Sequence, residues 1–277
     1  ELDSAADKLD KSIDSAGKSA DDASNGGFTV LKGALANLAA DAVEGCINGI
    51  LKLGGALLNA GKQAIASYSD YEQLVGGVET LFKDSSGIVE NYANNAYKTA
   101  GLSANEYMDT VTSFSASLLQ SLNGDTAKSA EVADKAITDM SDNANKMGTS
   151  MESIQNAYQG FAKQNYTMLD NLKLGYGGTK SEMERLIGDA NKLAKAQGQA
   201  GNLTIESYAD VVEAIHLVQD NMGITGTTAK EASTTIQGSI GAMKSAWSNL
   251  LTGMADENAN FDTLMENLIA VSYTHLT

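Results

Sequence analysis

Apolar residues at the start of the chain recur at alternating steps of four and three. They are Leu2, Ala6, Leu9, Ile13, Ala16, Ala20 and Ala23. This repeat predicts a helix with a coiled-coil contact stripe, because a supercoiled helix presents the same face to its partner every seven residues. Alanine fills the later positions, so a solvated helix with a weak stripe is the alternative. We assign residues 1–27 to a coiled-coil-like helix that ends at Asn25-Gly26-Gly27.

Residues 28–69 are rich in alanine and glycine and predict a long amphipathic helix. Its apolar stripe includes Ile50, Leu53, Leu57, Gly61 and Ile65. A membrane span requires about 20 apolar residues without charge. The charges that interrupt this run are Lys32, Asp41, Glu44, Lys52 and Lys62. We therefore expect packing against another helix, and Gly45 with Gly49 forms a small face suited to close contact. Membrane association of residues 28–66 is the alternative.

Beyond Tyr71 the pattern changes to shorter amphipathic segments with clear helix-start signals. Hydroxyl and carboxylate residues at capping-box spacing are Ser103 and Glu106, Thr149 and Glu152, Thr179 and Glu182, and Thr228 and Glu231. Each pair predicts a helix N-terminus, because the two side chains satisfy each other's free amides. Glycines predict breaks between these helices at Gly101, Gly124, Gly148, 175–178, Gly201 and 223–226. The pattern indicates a compact multi-helix domain over residues 70–253.

The end of the chain carries a further short amphipathic segment. Residues 254–270 include Phe261, Leu264 and Leu268 at helical spacing, which predicts the start of another helix. The last seven residues, 271–277, depart from this pattern and resemble a non-native tail. Because the chain starts at Glu1, we expect it to be a fragment of a longer protein.

Composition supports an all-α fold and narrows the function. The chain has no proline, where an average usage of about 5% would give roughly a dozen, and proline breaks helix interiors. A net charge of −16 argues against direct, sequence-specific nucleic-acid binding, because phosphate contacts need clustered lysine and arginine. The single cysteine, Cys46, cannot form an internal disulfide. We expect long N-terminal helices followed by the compact helical domain.

Residues with catalytic potential are few. Besides His275 in the atypical tail, the only histidine is His216, whose place on an apolar helix favours a packing or surface role. One cysteine and one such histidine cannot assemble a zinc site or a Cys–His nucleophile. The run Gly175–Ser181 has threonine where a phosphate-binding loop needs glycine, and no strand precedes it. We therefore predict no catalytic residue, no cofactor-binding residue and no metal ligand.

Two further features have a structural reading and a functional one. The dipeptides Glu152-Ser153 and Glu206-Ser207 match a pair common in peptidoglycan-cleaving enzymes, yet both lie at predicted helix starts, where capping explains them. Tyr176 lies among glycines in the loop between two helices. Packing of its ring onto the core is the favoured interpretation, and an exposed contact surface is the alternative.

Four stretches resemble one family in composition and order. They are YEQLVGGVETLF (71–82), AYKTAGLSANEYMDTVTSFSASLLQSL (96–122), MSDNANKMGTSMESIQNAYQGFAKQNYTMLDNLKLGYGGTKSEMERL (140–186) and GITGTTAKEASTTIQGSI (223–240). They resemble the N-terminal core of tape measure proteins from long-tailed, siphovirus-type phages and prophages of Gram-positive bacteria. With the helices between them they cover about two-thirds of the chain.

This resemblance implies a virion structural protein rather than an enzyme, and it implies no cofactor. A tape measure protein acts as ruler and scaffold for the tail tube and aids genome ejection. The implied partners are the tail tube protein, tail assembly chaperones, distal tail proteins and further copies of the chain in a helical bundle. Residues 28–66 are the candidate for host membrane contact. The implied location is the tail lumen, and the host cytoplasm during assembly.

Two other functions remain open from the sequence. An acidic, alanine-rich helical chain is also typical of coiled-coil interaction proteins that are secreted or displayed on cell surfaces. A peptidoglycan-cleaving tail enzyme is the third reading, and it rests on the two Glu-Ser dipeptides alone.

Overall fold

The computed structural model describes residues 54–234, 236–256 and 259–273. Over this part of the chain the secondary structure is helical and contains no strand, which confirms the predicted all-α class. The coiled-coil prediction for residues 1–27, most of the 28–69 helix, Cys46 and His275 lie outside the described residues.

The described helices follow one another with short connections. They are α1 (Gly54–Phe82), α2 (Ser86–Thr99), α3 (Ala104–Ser121), α4 (Thr126–Met147), α5 (Met151–Phe161), α6 (Lys180–Ala196), α7 (Tyr208–Asn221), α8 (Thr227–Thr234), α9 (Ile236–Met254) and α10 (Phe261–Tyr273). Short 3-10 helices occupy Lys83–Ser85 and Leu169–Leu172. None of the helices in the described part is long and apolar enough to cross a membrane.

The chain divides into two compact units whose boundaries fall within α1, α9 and α10. Among the described residues, one unit contains 54–72, 246–256 and 259–270, and the other contains 73–234, 236–245 and 271–273. In the first unit, Thr252 Oγ1 on α9 donates to Ser67 Oγ on α1 at 3.0 Å. Helix α1 continues through the predicted boundary between residues 69 and 70, and α9 continues through Gly253.

Helix α4 is the centre of the second unit. It packs against α2, α3, α5, α7 and α8, while α6 packs on α7. The largest fully buried side chains of this unit include Phe82, Tyr97, Tyr107, Met108, Tyr158 and Phe161. The ring centroids of Tyr158 and Phe161 lie 5.8 Å apart, and those of Phe161 and Tyr166 lie 6.1 Å apart. Close packing of tyrosine and phenylalanine thus compensates for the small residues elsewhere.

Glycine ends several helices as the sequence predicts. Helix α4 ends at Gly148, whose φ of 65° places it in the left-handed region where a side chain is strained. In the loop before α6, a Cβ at Gly178 would collide with the backbone carbonyl of Thr167. The loop can therefore fold back on itself only with glycine at this position.

Two of the four predicted capping pairs start helices where expected. Ser103 and Glu106 form a complete capping box at α3, with Ser103 N donating to Glu106 Oε2 at 2.8 Å. Thr179 caps α6 by accepting from Glu182 N. The carboxylate of Glu182 accepts from Gly177 N instead of the Thr179 amide.

The other two capping predictions are wrong. Ser150, not Thr149, caps α5, because the Thr149 hydroxyl donates to the Asn171 carbonyl at 2.9 Å. Thr228 lies inside α8, and its backbone amide donates to Asp142 on α4. In both places a tertiary contact takes the group that the local pattern would use.

Candidate functional site

The C-terminal half of α4 places polar side chains in the interior. Asp139, Asp142 and Asn143 are at most 1% exposed, although interior positions are usually apolar. They pair with His216 and Gln219 on α7 and with the start of α8. We refer to Asp139, Asp142, Asn143, His216 and Gln219 as the polar cluster.

His216 and Asp139 form the charged pair of the cluster. His216 Nδ1 lies 3.0 Å from both carboxylate oxygens of Asp139, and the Asp139 side chain is 1% exposed. This hydrogen bond raises the pKa of His216 above its usual value, although partial burial opposes the shift. Burial raises the pKa of Asp139, and the hydrogen bond from His216 opposes that change. The interior therefore favours retention of a proton by the pair.

Asn143 and Gln219 connect α4, α7 and the loop after α5. Asn143 Nδ2 donates to Gln219 Oε1 at 2.7 Å and to the Leu172 carbonyl at 2.9 Å. Gln219 Nε2 donates to the Asp139 carbonyl at 3.3 Å. Both side chains have no exposed surface, so each hydrogen bond forms without competition from water.

Asp142 binds the start of α8. Its carboxylate oxygens accept from Gly226 N at 2.6 Å and from Thr228 N at 2.8 Å. Free amides and the helix dipole make a helix N-terminus a favourable place for a carboxylate. A side chain from a distant helix therefore provides the N-terminal cap that the sequence predicts from a local residue.

The remaining side-chain contacts around His216 also join α4 and α7. Among the described residues, no side chain is hydrogen-bonded to His216 Nε2, the nitrogen that would activate a nucleophile. One turn before Asp139, Lys135 Nζ contacts Glu213 Oε2 at 2.6 Å and extends the polar contact between α4 and α7. The geometry is that of a hydrogen-bonded helix interface.

The Glu-Ser dipeptides lie at the starts of two helices. Ser207 is the N-cap of α7 and accepts from Asp210 N at 3.3 Å. Ser153 lies in the first turn of α5, and its amide donates to Ser150 Oγ at 3.3 Å. Capping contacts therefore account for both serines.

Tyr176 lies on the outer face of α6 instead of in the core, so the favoured sequence interpretation is wrong. The Arg185 guanidinium carbon lies 4.2 Å from the centroid of its ring. Its hydroxyl donates to Asp189 Oδ2 at 3.1 Å. Arg185 also donates to the Gly175 carbonyl at 2.7 Å. These contacts hold the loop against α6. The ring and hydroxyl of Tyr176 are therefore used in contacts within the chain.

A partly open cavity of about 280 Å³ lies beside the polar cluster, within the second unit. Its wall is built mostly from small residues of α4, α8, α9 and the turn before α3, and Met151 of α5 also contributes. Ser141 and Thr228 are part of this wall. The hydroxyl oxygens of Ser141 and Thr228 are buried and have no hydrogen-bond partner. No group of three metal-ligating side chains that could bind an ion occurs among the described residues.

Sequence reasoning missed the polar cluster and the cavity. The run Asp139 to Asn143 contains four polar residues on a helix that also carries an apolar face, which is a visible but ambiguous signal. Its partners lie about 80 positions away, as in the 77-residue separation of Asp139 and His216. Spacing along the chain cannot reveal such contacts.

Comparison with known proteins gives no match to a family model, to a curated protein or to a solved structure.

Proposed function

We propose that this chain is part of a phage tail tape measure protein, which acts as ruler and scaffold during tail tube assembly. The observation that carries the proposal is where the four resembling stretches lie. They fall in α1, in α2 and α3, from the end of α4 to the start of α6, and in α8 and the start of α9. These helices contribute to one packed unit around α4.

The all-α structure is compatible with the physics of a ruler. An α-helix converts residue count into length at about 1.5 Å per residue, so the 29 residues of α1 extend over roughly 43 Å. The unit around α4 is folded back on itself, and it adds little length for its number of residues. In this proposal length is measured by extended helices, and the compact unit is a site for assembly contacts.

The proposed partners follow from this role. They are the tail tube protein, assembly chaperones, distal tail proteins and further copies of the chain, in the tail lumen and, before that, in the host cytoplasm. Contact of residues 28–66 with the host membrane during ejection belongs to the same proposal. Binding of a 28–66 peptide to liposomes tests that part, and absence of binding contradicts it.

Tail length is the measurement that tests the ruler. About 30 helical residues inserted between residues 72 and 73 should lengthen tails by roughly 45 Å in electron micrographs. The control is the same insertion at Gln199, in the exposed connection between α6 and α7, which should leave tail length unchanged. Unchanged length with the first insertion would contradict a ruler role for α1.

Antibody labelling and peptidoglycan gels separate the alternatives. Immunogold labelling should mark disrupted phage tails, whereas labelling of intact cell surfaces would favour a helical surface protein. A clear zone from the purified chain in a peptidoglycan gel would favour the cleaving enzyme. We expect labelled tails and no clear zone.

A further inference from the structure

The cavity between α4, α8 and α9 is lined by buried hydroxyl groups that no neighbouring residue in the described part of the chain hydrogen-bonds, as expected of a binding site. Ser141 is 5% exposed and lines the cavity, yet its hydroxyl has no partner. Thr228 Oγ1 is the second unpartnered hydroxyl in the wall. We propose that this cavity binds the ammonium group of a small primary aliphatic amine.

Buried hydroxyls without partners are unusual in native proteins because they lose hydrogen bonds to water and gain none in return. A helical serine commonly donates to the carbonyl four residues earlier, as Ser115 does to Val111. Ser141 does not, so its hydroxyl remains available to a molecule in the cavity. An occupant that hydrogen-bonds to both hydroxyls would remove the cost.

The oxygen atoms and the negative charge of the cavity wall favour a ligand with a positively charged hydrogen-bond donor. An ammonium group carries three N–H donors and no acceptor, which suits a wall of oxygens. Besides the two hydroxyls, the wall contains Glu231, whose carboxylate accepts from Asn145 Nδ2 at 3.0 Å. A chain with a net charge of −16 also attracts cations over longer distances. The hydroxyls could also donate to an anion, but Glu231 and the net negative charge disfavour a phosphate or carboxylate ligand.

The remaining wall suits a short alkyl chain. Its apolar members are Ala100, Leu102, Ala144, Met151, Ala232 and Ala242. Gly241 also lines the cavity, and a Cβ built there meets no atom within 4 Å. There is thus unfilled space beside α9. Apolar walls with a few polar groups are the usual composition of small-ligand sites.

The structure also fixes the two helices that carry the hydroxyls. Asp142 next to Ser141 binds the amide of Thr228 at 2.8 Å, so the α4 and α8 residues face each other at this end. One turn further along, the Asn145 to Glu231 hydrogen bond joins the same helices. The hydroxyls are therefore positioned before a ligand arrives, which lowers the entropy cost of binding.

Amide NMR of the full chain, titrated with n-butylamine, tests this proposal. We expect saturable shifts at Ser141, Thr228 and Gly241. The comparison ligand is 1-butanol, which has the same alkyl chain without the charge and should bind at least about tenfold more weakly. Equal binding of both ligands would overturn the ammonium assignment. No saturable shift with the amine, as expected if water alone fills the cavity, would overturn the proposal.

Variants locate the binding site. Ser141→Ala and Thr228→Val each remove one hydroxyl, and each should weaken amine binding by about tenfold. Gly241→Leu should abolish binding because its side chain enters the open space, whereas Gly188→Leu is the matched control on the exposed face of α6. Thermal unfolding checks that each variant remains folded. Unchanged binding in folded Ser141→Ala and Gly241→Leu would overturn the proposal, which does not depend on the tail function.

Discussion

Helix α7 packs against two helices through interfaces of different chemistry. On α6, its neighbour in sequence, the buried residues are all apolar: Met183, Leu186, Ile187, Ala190 and Ala194. On α4, the buried residues that contact α7 include Asp139, which pairs with His216, and Asn143, which donates to Gln219. Two helix contacts in one compact unit thus rely on different forces.

The difference separates how strongly helices associate from how specifically they align. Apolar surface contributes in proportion to the area removed from water and imposes little direction. A buried polar pair loses hydration on both sides, so its net contribution is small, yet a shift of the helices would leave both partners unpaired. We infer that, of the two interfaces of α7, the one with α6 contributes more to stability. The interface with α4 sets the position of α7 along its axis.

The largest effect is expected at the apolar interface. Leu186 is fully buried, and Leu186→Ala should lower the free energy of unfolding by about 2–5 kcal/mol, through lost burial and the cavity left behind. Urea unfolding of the full chain measures this change. The control is Leu186→Met, which conserves volume and should cost less than about 1.5 kcal/mol. A loss below about 1 kcal/mol in the alanine variant would contradict the assigned role of α6.

A smaller effect is expected when one partner of the charged pair is removed. His216→Leu leaves the Asp139 carboxylate buried without its partner and should cost about 1–3 kcal/mol. The double variant Asp139→Leu with His216→Leu should recover much of this loss, because it removes the unpaired group. Costs that simply add in the double variant would show that the two residues do not interact.

The same pair should make stability depend on pH. The pKa of His216 is raised above 6.5 in the folded chain, so the folded state binds the proton more tightly than the unfolded state. Its contribution is fully present below pH 6.5 and is lost as the pH rises through the folded pKa. Chemical unfolding from about pH 6 to about pH 9 should show this decline. His216→Gln should flatten the decline, and an unchanged slope would contradict the assignment.

The apolar interface could be predicted from the sequence, and the polar cluster could not. Met183, Leu186 and Ala190 repeat at helical spacing, so the buried face of α6 follows from local order. His216 lies on an equally periodic helix, but its partner is 77 residues away. Thr228 shows the same limit, since its capping pattern fits locally while Asp142 occupies the helix start. Long-range pairing decides these positions, and spacing along the chain does not encode it.

Loss of the remote cap should have a more local effect. The Asp142 carboxylate accepts from two backbone amides, those of Gly226 and Thr228. In Asp142→Asn one of these amides faces a side-chain N–H instead of an oxygen, so the free energy of unfolding should fall by about 1–2 kcal/mol. Hydrogen exchange should accelerate first in α8, because this helix loses its N-terminal cap. Asn145→Ala, which removes an exposed hydrogen bond to α8 and no cap, is the control and should accelerate exchange in α8 less than Asp142→Asn does. Uniform acceleration over the whole unit would contradict a local capping role.

The smallest effect is expected at a cap that the sequence itself supplies. Ser103 accepts from Glu106 N at 3.3 Å and starts α3, so Ser103→Ala should cost about 1 kcal/mol. Ser103→Thr keeps the hydroxyl and should cost less. The instructive measurement is a comparison of Ser103→Ala with Asp142→Asn by hydrogen exchange. Both remove a cap, but only Asp142 also joins two helices distant in sequence, so only its variant should loosen the contact of α8 with α4. Equal and local effects of the two substitutions would show that Asp142 is a cap alone, and that the alignment of α7 and α8 on α4 depends on the remaining polar pairs.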